Sequence, residues 1–194
     1  MKEKETAELE EILARTKEKE HPLITIDGPC ASGKTTLAQK LAEQINALVI
    51  HTDDYVVPHA LKTAERLASP GGNCDAERLL SEIIIPWKRG CAGTYRRYDC
   101  RADRFCDEET LPTSGMLILE GSYSNLPEIR KYADVRIFVE VPWEERIRRL
   151  RERESEASLK RFFERWIPLE DAYFEAFGLP DEGCVRWQGV EKFF

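Results

Sequence analysis

The chain has 194 residues and a mass of 22.4 kDa, enough for one domain of ordinary size and too few for two. Hydrophobic residues make up 42% and charged residues 34%, which excludes a disordered chain, and no apolar run approaches the roughly 18 residues of a membrane helix. With 29 Lys and Arg against 36 Asp and Glu, the net charge of −7 has the wrong sign for a coat on nucleic acid.

The opening Met1-Lys2-Glu3-Lys4-Glu5 precedes no apolar core and does not read as a secretory signal. Six cysteines, at 30, 74, 91, 100, 106 and 184, form no C-x-x-C pair and have no histidine at zinc spacing. Reduced thiols are expected, in a soluble cytoplasmic protein without a membrane or nucleic-acid partner.

Residues 1–21 read as a separate unit. Leu9, Ile12 and Leu13 lie at helical spacing among Glu and Lys, which predicts an amphipathic helix ending before His21-Pro22 and serving as a solvated or docking arm. Residues 22–194 read as the main domain. Leu23 to Asp27 is a β-branched run stopped by Gly28-Pro29, hence a strand. Residues 34–46 carry Leu37, Leu41, Ala42 and Ile45 at helical spacing. Further strands are expected at Leu48 to His51, Met116 to Leu119 and Val135 to Val139, with Pro142 opening the next helix. Nearly continuous apolar strands alternating with helices predict an α/β/α fold in three layers around a parallel sheet. Between the second and third of these strands, residues of about 53–112 break the rhythm. They give a loop at Ser69 to Gly72, a helix from Ala76 to Trp87, and a hairpin of Thr94 to Tyr98 with Asp107 to Leu111. So long an insertion usually carries recognition.

Gly28-Pro29-Cys30-Ala31-Ser32-Gly33-Lys34-Thr35 is a complete G-x-x-x-x-G-K-T string, followed by Thr36. Its backbone N–H groups can curl around an anion, and the following helix adds its dipole. Lys34 would reach the β- and γ-phosphates, and the Thr35 hydroxyl would ligate Mg²⁺. Such a string arises by chance in on the order of one in a hundred chains of this length. Here it also follows a strand and opens a helix, as the mechanism demands. A nucleoside triphosphate is the expected ligand.

Phosphoryl transfer also needs a group to orient or deprotonate the acceptor, at the carboxyl end of a strand. The second predicted strand ends in Thr52-Asp53-Asp54-Tyr55 and the third in Glu120-Gly121. Asp53 is the expected general base and Glu120 a water-mediated Mg²⁺ partner, while Asp54 reads equally as a cap. No D-x-x-G switch or N-K-x-D motif supports a GTPase, and a motor or transporter ATPase would normally be larger. Five arginines lie between 146 and 153. Arg146, Arg149 and Arg153 share a helical stripe beside Trp143, Ile147 and Leu150. That stripe reads as a lid over the transferring group, whereas Arg148 and Arg151 read as solvated.

From Leu23 to Phe177 the chain resembles the P-loop small-molecule kinases grouped around uridine kinase, with phosphoribulokinase, pantothenate kinase and nicotinamide riboside kinase as relatives. The resemblance implies an acceptor-binding insertion and an arginine-bearing lid helix. It implies Asp53 as base, Asp75 in Gly72-Asn73-Cys74-Asp75 as holder of the ribose hydroxyls, and Tyr98 as packing on the acceptor; Asp53 and Tyr55 are also expected among the acceptor-binding residues. Arg146 and Arg149 fall on the lid arginines, with Arg146 also expected to touch the acceptor, and Leu119-Glu120-Gly121 falls on the motif after the third strand. Gly28, Ser32, Gly33, Lys34, Thr35 and Thr36 would hold the nucleotide, with Thr35 and Glu120 at the metal. Two stretches depart from uridine kinases. Cys100-Arg101-Ala102-Asp103 stands where a base-contacting histidine is usual, and Arg165 to Phe174 differs from the usual end.

The expected activity is transfer from ATP (or GTP) with Mg²⁺ to the 5′-hydroxyl of a uridine- or cytidine-like nucleoside. Nicotinamide riboside, pantothenate or a sugar phosphate are alternative acceptors, and a non-catalytic nucleotide-binding module is a second alternative. Oligomeric state stays open, a homo-oligomer included.

Overall fold

In the computed structural model, which describes residues 10, 12 and 14–189, five strands form one parallel sheet in the order β2-β5-β1-β6-β7. They are β1 (Leu23–Asp27), β2 (Ala47–His51), β5 (Met116–Glu120), β6 (Val135–Glu140) and β7 (Cys184–Gln188). β1 pairs with β5 through Ile24–Ile118 and with β6 through Ile26–Ile137. Central β1 is buried along its whole length, which matches its unbroken apolar run, while β2 at the edge is mostly half-buried. The four expected strands are all present, within a residue of their expected ends.

Helix α1 (Lys34–Ile45) buries Lys34, Leu37, Ala38 and Leu41, the stripe expected of helical spacing. It ends where Asn46 adopts a left-handed conformation and its N–H closes on Ala42. Leu37 and Leu41 pack with Ile24, Ile26 and Ile118 on one face of the sheet. Ile12 is fully buried in that same cluster. Leu9 and Leu13, which completed its expected stripe, lie outside the described residues.

The insertion holds helix α2, made of Ala76–Arg78, Leu79–Ile84 and Ile85–Lys88, and the antiparallel hairpin β3 (Gly93–Asp99) and β4 (Arg104–Leu111). The hairpin runs longer than its apolar pattern predicts, with a bulge between Arg96 and Tyr98. After β6 come α3 (Trp143–Arg153) and α4, built of Glu156–Arg161, Phe162–Trp166 and Ile167–Phe177. The middle stretches of α2 and α4 are widened to π geometry. Pro86 and Pro168 stand two residues beyond them, and a proline ring clashes with the carbonyl four residues earlier, which the wider turn relieves. All six cysteines are free. No helix among the described residues is long and apolar enough to cross a membrane.

Candidate active site

Because β5 lies between β2 and β1, the strand ends carrying Asp53, Glu120 and the Gly28 loop come together at one edge of the sheet. They open onto a cleft of about 1540 Å³. Gly28 begins the loop at φ 140°, and a Cβ there would stand 2.4 Å from the Val139 carbonyl, so only glycine fits. Lys34 Nζ donates to the carbonyls of Gly28 at 2.8 Å and Pro29 at 2.9 Å. The Ser32 hydroxyl is buried with no hydrogen-bond partner, as suits a group facing an anion. Ser32, Gly33, Lys34, Thr35 and Thr36 line the cleft.

Thr35 Oγ1 donates to Glu120 Oε1 at 3.0 Å, and His51 Nδ1 also contacts that carboxylate. That contact, opposed by burial and helped by the charges of Asp54 and Asp53, raises the His51 pKa. Gly121 stands at φ 126°, where a Cβ would come within 2.0 Å of Thr52 Oγ1. A glycine is therefore required directly after Glu120.

Asp53 lines the cleft and is exposed to solvent. The surrounding protein partly desolvates its carboxylate and raises its pKa, opposed by Lys34 and reinforced by Glu120, Glu170 and Asp54. A cleft carboxylate with a raised pKa has the chemistry to accept a proton. Asp54 is half-buried and also raised, chiefly by desolvation.

Four expected acceptor contacts face elsewhere. Tyr55 is fully buried in the core, with the Arg78 guanidinium 4.7 Å from its ring centre. Asp75 caps α2, accepting from the Arg78 N–H at 3.3 Å. Tyr98 is buried, accepts from the His59 N–H at 3.1 Å and donates to Asp103, so it fixes the hairpin tip. Arg146 turns inward from its stripe, donating to the Cys30 carbonyl at 3.0 Å. Arg149 does reach the loop, donating to the carbonyls of Ala31 at 3.2 Å and Ser32 at 3.1 Å, and Arg153 lines the cleft.

Two residues that periodicity did not single out hold prominent places. Asn73 lies two positions before Asp75. It is only 7% exposed, lines the cleft, and its Oδ1 has no partner. Glu170, 5% exposed on α4, accepts from the Cys30 N–H at 2.9 Å, from Ser122 Oγ at 2.6 Å and from Arg146 Nη2 at 2.9 Å. It ties the phosphate loop, the β5 end and α3 to one carboxylate. Burial, with the Glu170 charge next, pushes the Cys30 thiol up to about 11, so that thiol stays protonated. Just behind the loop, burial lifts Asp27 to about 6 against hydrogen bonds from Tyr173, Gly28 and Asn125.

Removing one member of a buried ion pair leaves an uncompensated charge. Glu170→Gln is therefore expected to cost on the order of 3 kcal/mol in urea denaturation and to raise KM for MgATP. Unchanged stability and KM would show that the loop holds its shape without this node.

Comparison with solved structures gives close matches over almost the whole chain. A candidate fructose transport system kinase from Silicibacter sp. superposes with a TM-score of 0.72 at 23% identity, covering 93% of this chain and 97% of its own. A candidate uridine kinase from Bacillus stearothermophilus gives 0.69 at 22% identity, over 95% and 99%. A candidate P-loop containing kinase with a circular permutation, from Saccharomyces cerevisiae, gives 0.65 at 11% identity, over 97% and 99%. The chain has the P-loop kinase fold. No known family profile matches it. Among curated proteins, a bifunctional pantoate ligase/cytidylate kinase from Prochlorococcus marinus is 22% identical over 114 residues, 59% of this chain. The match spans about a fifth (22%) of that relative's length.

Proposed function

We propose that this protein is a Mg²⁺-dependent kinase transferring the γ-phosphoryl group of ATP to a primary hydroxyl of a small molecule, a nucleoside in the first instance. One observation carries the reading: Lys34, Thr35, Glu120 and Asp53 all line the cleft that the phosphate loop opens onto. A phosphate-binding module without transfer activity has no use for a base there.

The Thr35 hydroxyl and Glu120 carboxylate are hard oxygen donors 3.0 Å apart, and they fit Mg²⁺. Bound there, the ion would neutralise charge on the triphosphate. Lys34 adds a fixed positive charge to the phosphates, and the Ser32 hydroxyl and loop N–H groups orient them. Asp53 takes the proton of the acceptor hydroxyl as its oxygen bonds to the γ-phosphorus. The bond from that phosphorus to the bridging oxygen breaks, and ADP leaves. Arg149, held against the loop carbonyls, adds cationic charge in cis. Arg149→Met is expected to slow single-turnover transfer by about 10- to 100-fold with little change in acceptor affinity. Equal single-turnover rates would return Arg149 to a purely structural role.

The placement of Asp75 favours a second reading of the acceptor. One Asp75 oxygen is taken up as a helix cap, which weakens the case for its holding a ribose diol, so an acceptor without that diol, such as a sugar, pantothenate or a sugar phosphate, competes with uridine. The Silicibacter neighbour, described for fructose transport, supports widening the panel. Asp75→Ala is then expected to cost about 1 kcal/mol of stability and leave the uridine-to-deoxyuridine ratio unmoved. Loss of a ribose preference in that variant would restore its role at the acceptor. ADP release from MgATP, with and without each compound, tests the proposal as a whole. A kinase gives acceptor-dependent turnover. Release that never exceeds the acceptor-free background contradicts it.

A further inference from the structure

The whole chain carries net charge −7, yet nine Lys and Arg side chains line the cleft against five Asp and Glu. Part of that excess serves the triphosphate: Lys34 and Arg149 sit at the loop itself. A second group lies on the inserted segment and on α4, with Lys62 and Arg101 from the first and Arg165 from the second. Among the described residues none of these three is in an ion pair. Nearby acids are engaged elsewhere: Asp103 takes the Tyr98 hydroxyl and faces His59 at 3.6 Å, and Glu164 faces Lys160 at 3.7 Å. Lys62 and Arg165 are close enough that the guanidinium, after burial, helps depress the lysine's pKa.

Arg101 and Arg165 are exposed and Lys62 is half-buried, with Asp103 acting on Lys62 from nearby; the net positive field these three leave at this wall of the cleft attracts an anion. Asn73, buried in the same cleft with its Oδ1 unpartnered, adds a polar group able to take a hydroxyl. We propose that the acceptor is an anionic alcohol, whose phosphate or carboxylate is held by Lys62 and Arg165 while its free hydroxyl meets Asp53. The proposal rests on the kinase reading above and, for that same cleft, puts an anionic acceptor in place of a neutral nucleoside. Binding adds no chemistry at the anion: the hydroxyl oxygen gains the γ-phosphoryl group, its proton passes to Asp53, and ADP leaves.

The test compares acceptors that differ in the anionic group: fructose 6-phosphate with fructose, and pantothenate with pantothenyl alcohol. Each is assayed with the wild type and with Lys62→Met/Arg165→Met. The expected result is kcat/KM at least about 10-fold higher for the anionic member of one pair, with most of that preference erased in the double variant. Which pair shows it separates phosphate from carboxylate. Equal use of both members, or a preference the double variant leaves intact, overturns the proposal while the kinase reading stands. Calorimetry with inorganic phosphate provides a second measurement, with the triphosphate site filled by Mg²⁺ and a β,γ-imido ATP analogue. If no compound is phosphorylated, phosphate binding weakened about 10-fold or more in the double variant supports the anion site and sinks the kinase reading. No phosphate binding and no turnover overturns both.

Discussion

Lys34→Ala is expected to lower turnover by about 10²- to 10³-fold or more, the largest effect of any single change in the cleft. Its ammonium is the fixed charge nearest the phosphates, and in a partly desolvated loop such a charge acts with little screening. The same ammonium donates to the Gly28 and Pro29 carbonyls, so its loss also loosens the loop. A stability measurement separates the two effects. A variant with wild-type turnover and unchanged melting would remove the loop from the chemistry altogether.

Asp53→Asn is expected to cost about 10²-fold or more in kcat while the affinity for MgATP barely moves, because a base acts in the transition state. Asn keeps the shape and one acceptor oxygen but takes no proton. The ionised carboxylate is the active form, so turnover falls as pH drops through the pKa of Asp53. Partial desolvation and the neighbouring carboxylates raise that pKa above 3.8, which places the acid limb higher than for an ordinary aspartate. The limb should vanish from the pH profile of the Asn variant. If Asp54→Asn is the dead variant and Asp53→Asn is active, the two neighbours exchange roles.

The parts of this site that the sequence disclosed are those built from contiguous residues. Gly28 to Thr35 is a loop whose function depends on local backbone, and Asp53 and Glu120 follow apolar strands whose ends can be read from composition alone. The order β2-β5-β1 then brings those three ends together without further help from side chains. Glu170 was not legible for the opposite reason. It acts through Cys30, Ser122 and Arg146, which lie 140, 48 and 24 residues away, and nothing in its own helix marks it. Arg146 shows the same limit from the other side. Its stripe with Arg149 was correct as helical geometry, but which arginine meets the loop carbonyls and which enters a buried pair depends on α4. The insertion gave its elements and not its facing: the segment around Asp75 does border the cleft, through Asn73. Strand β7 leaves little trace in the sequence because its Arg186 and Gln188 are exposed at the sheet edge, where a strand carries little apolar signal.

The central claim is that a phosphoryl group leaves ATP in this cleft and arrives on a carbon-bound hydroxyl. ATP radiolabelled at the γ-phosphate, incubated with the protein, Mg²⁺ and the acceptor panel, tests it most directly. The account predicts label on an acceptor with wild type and about 10²-fold less or lower with Asp53→Asn. Label found only in inorganic phosphate, at equal rates in both proteins, would contradict it.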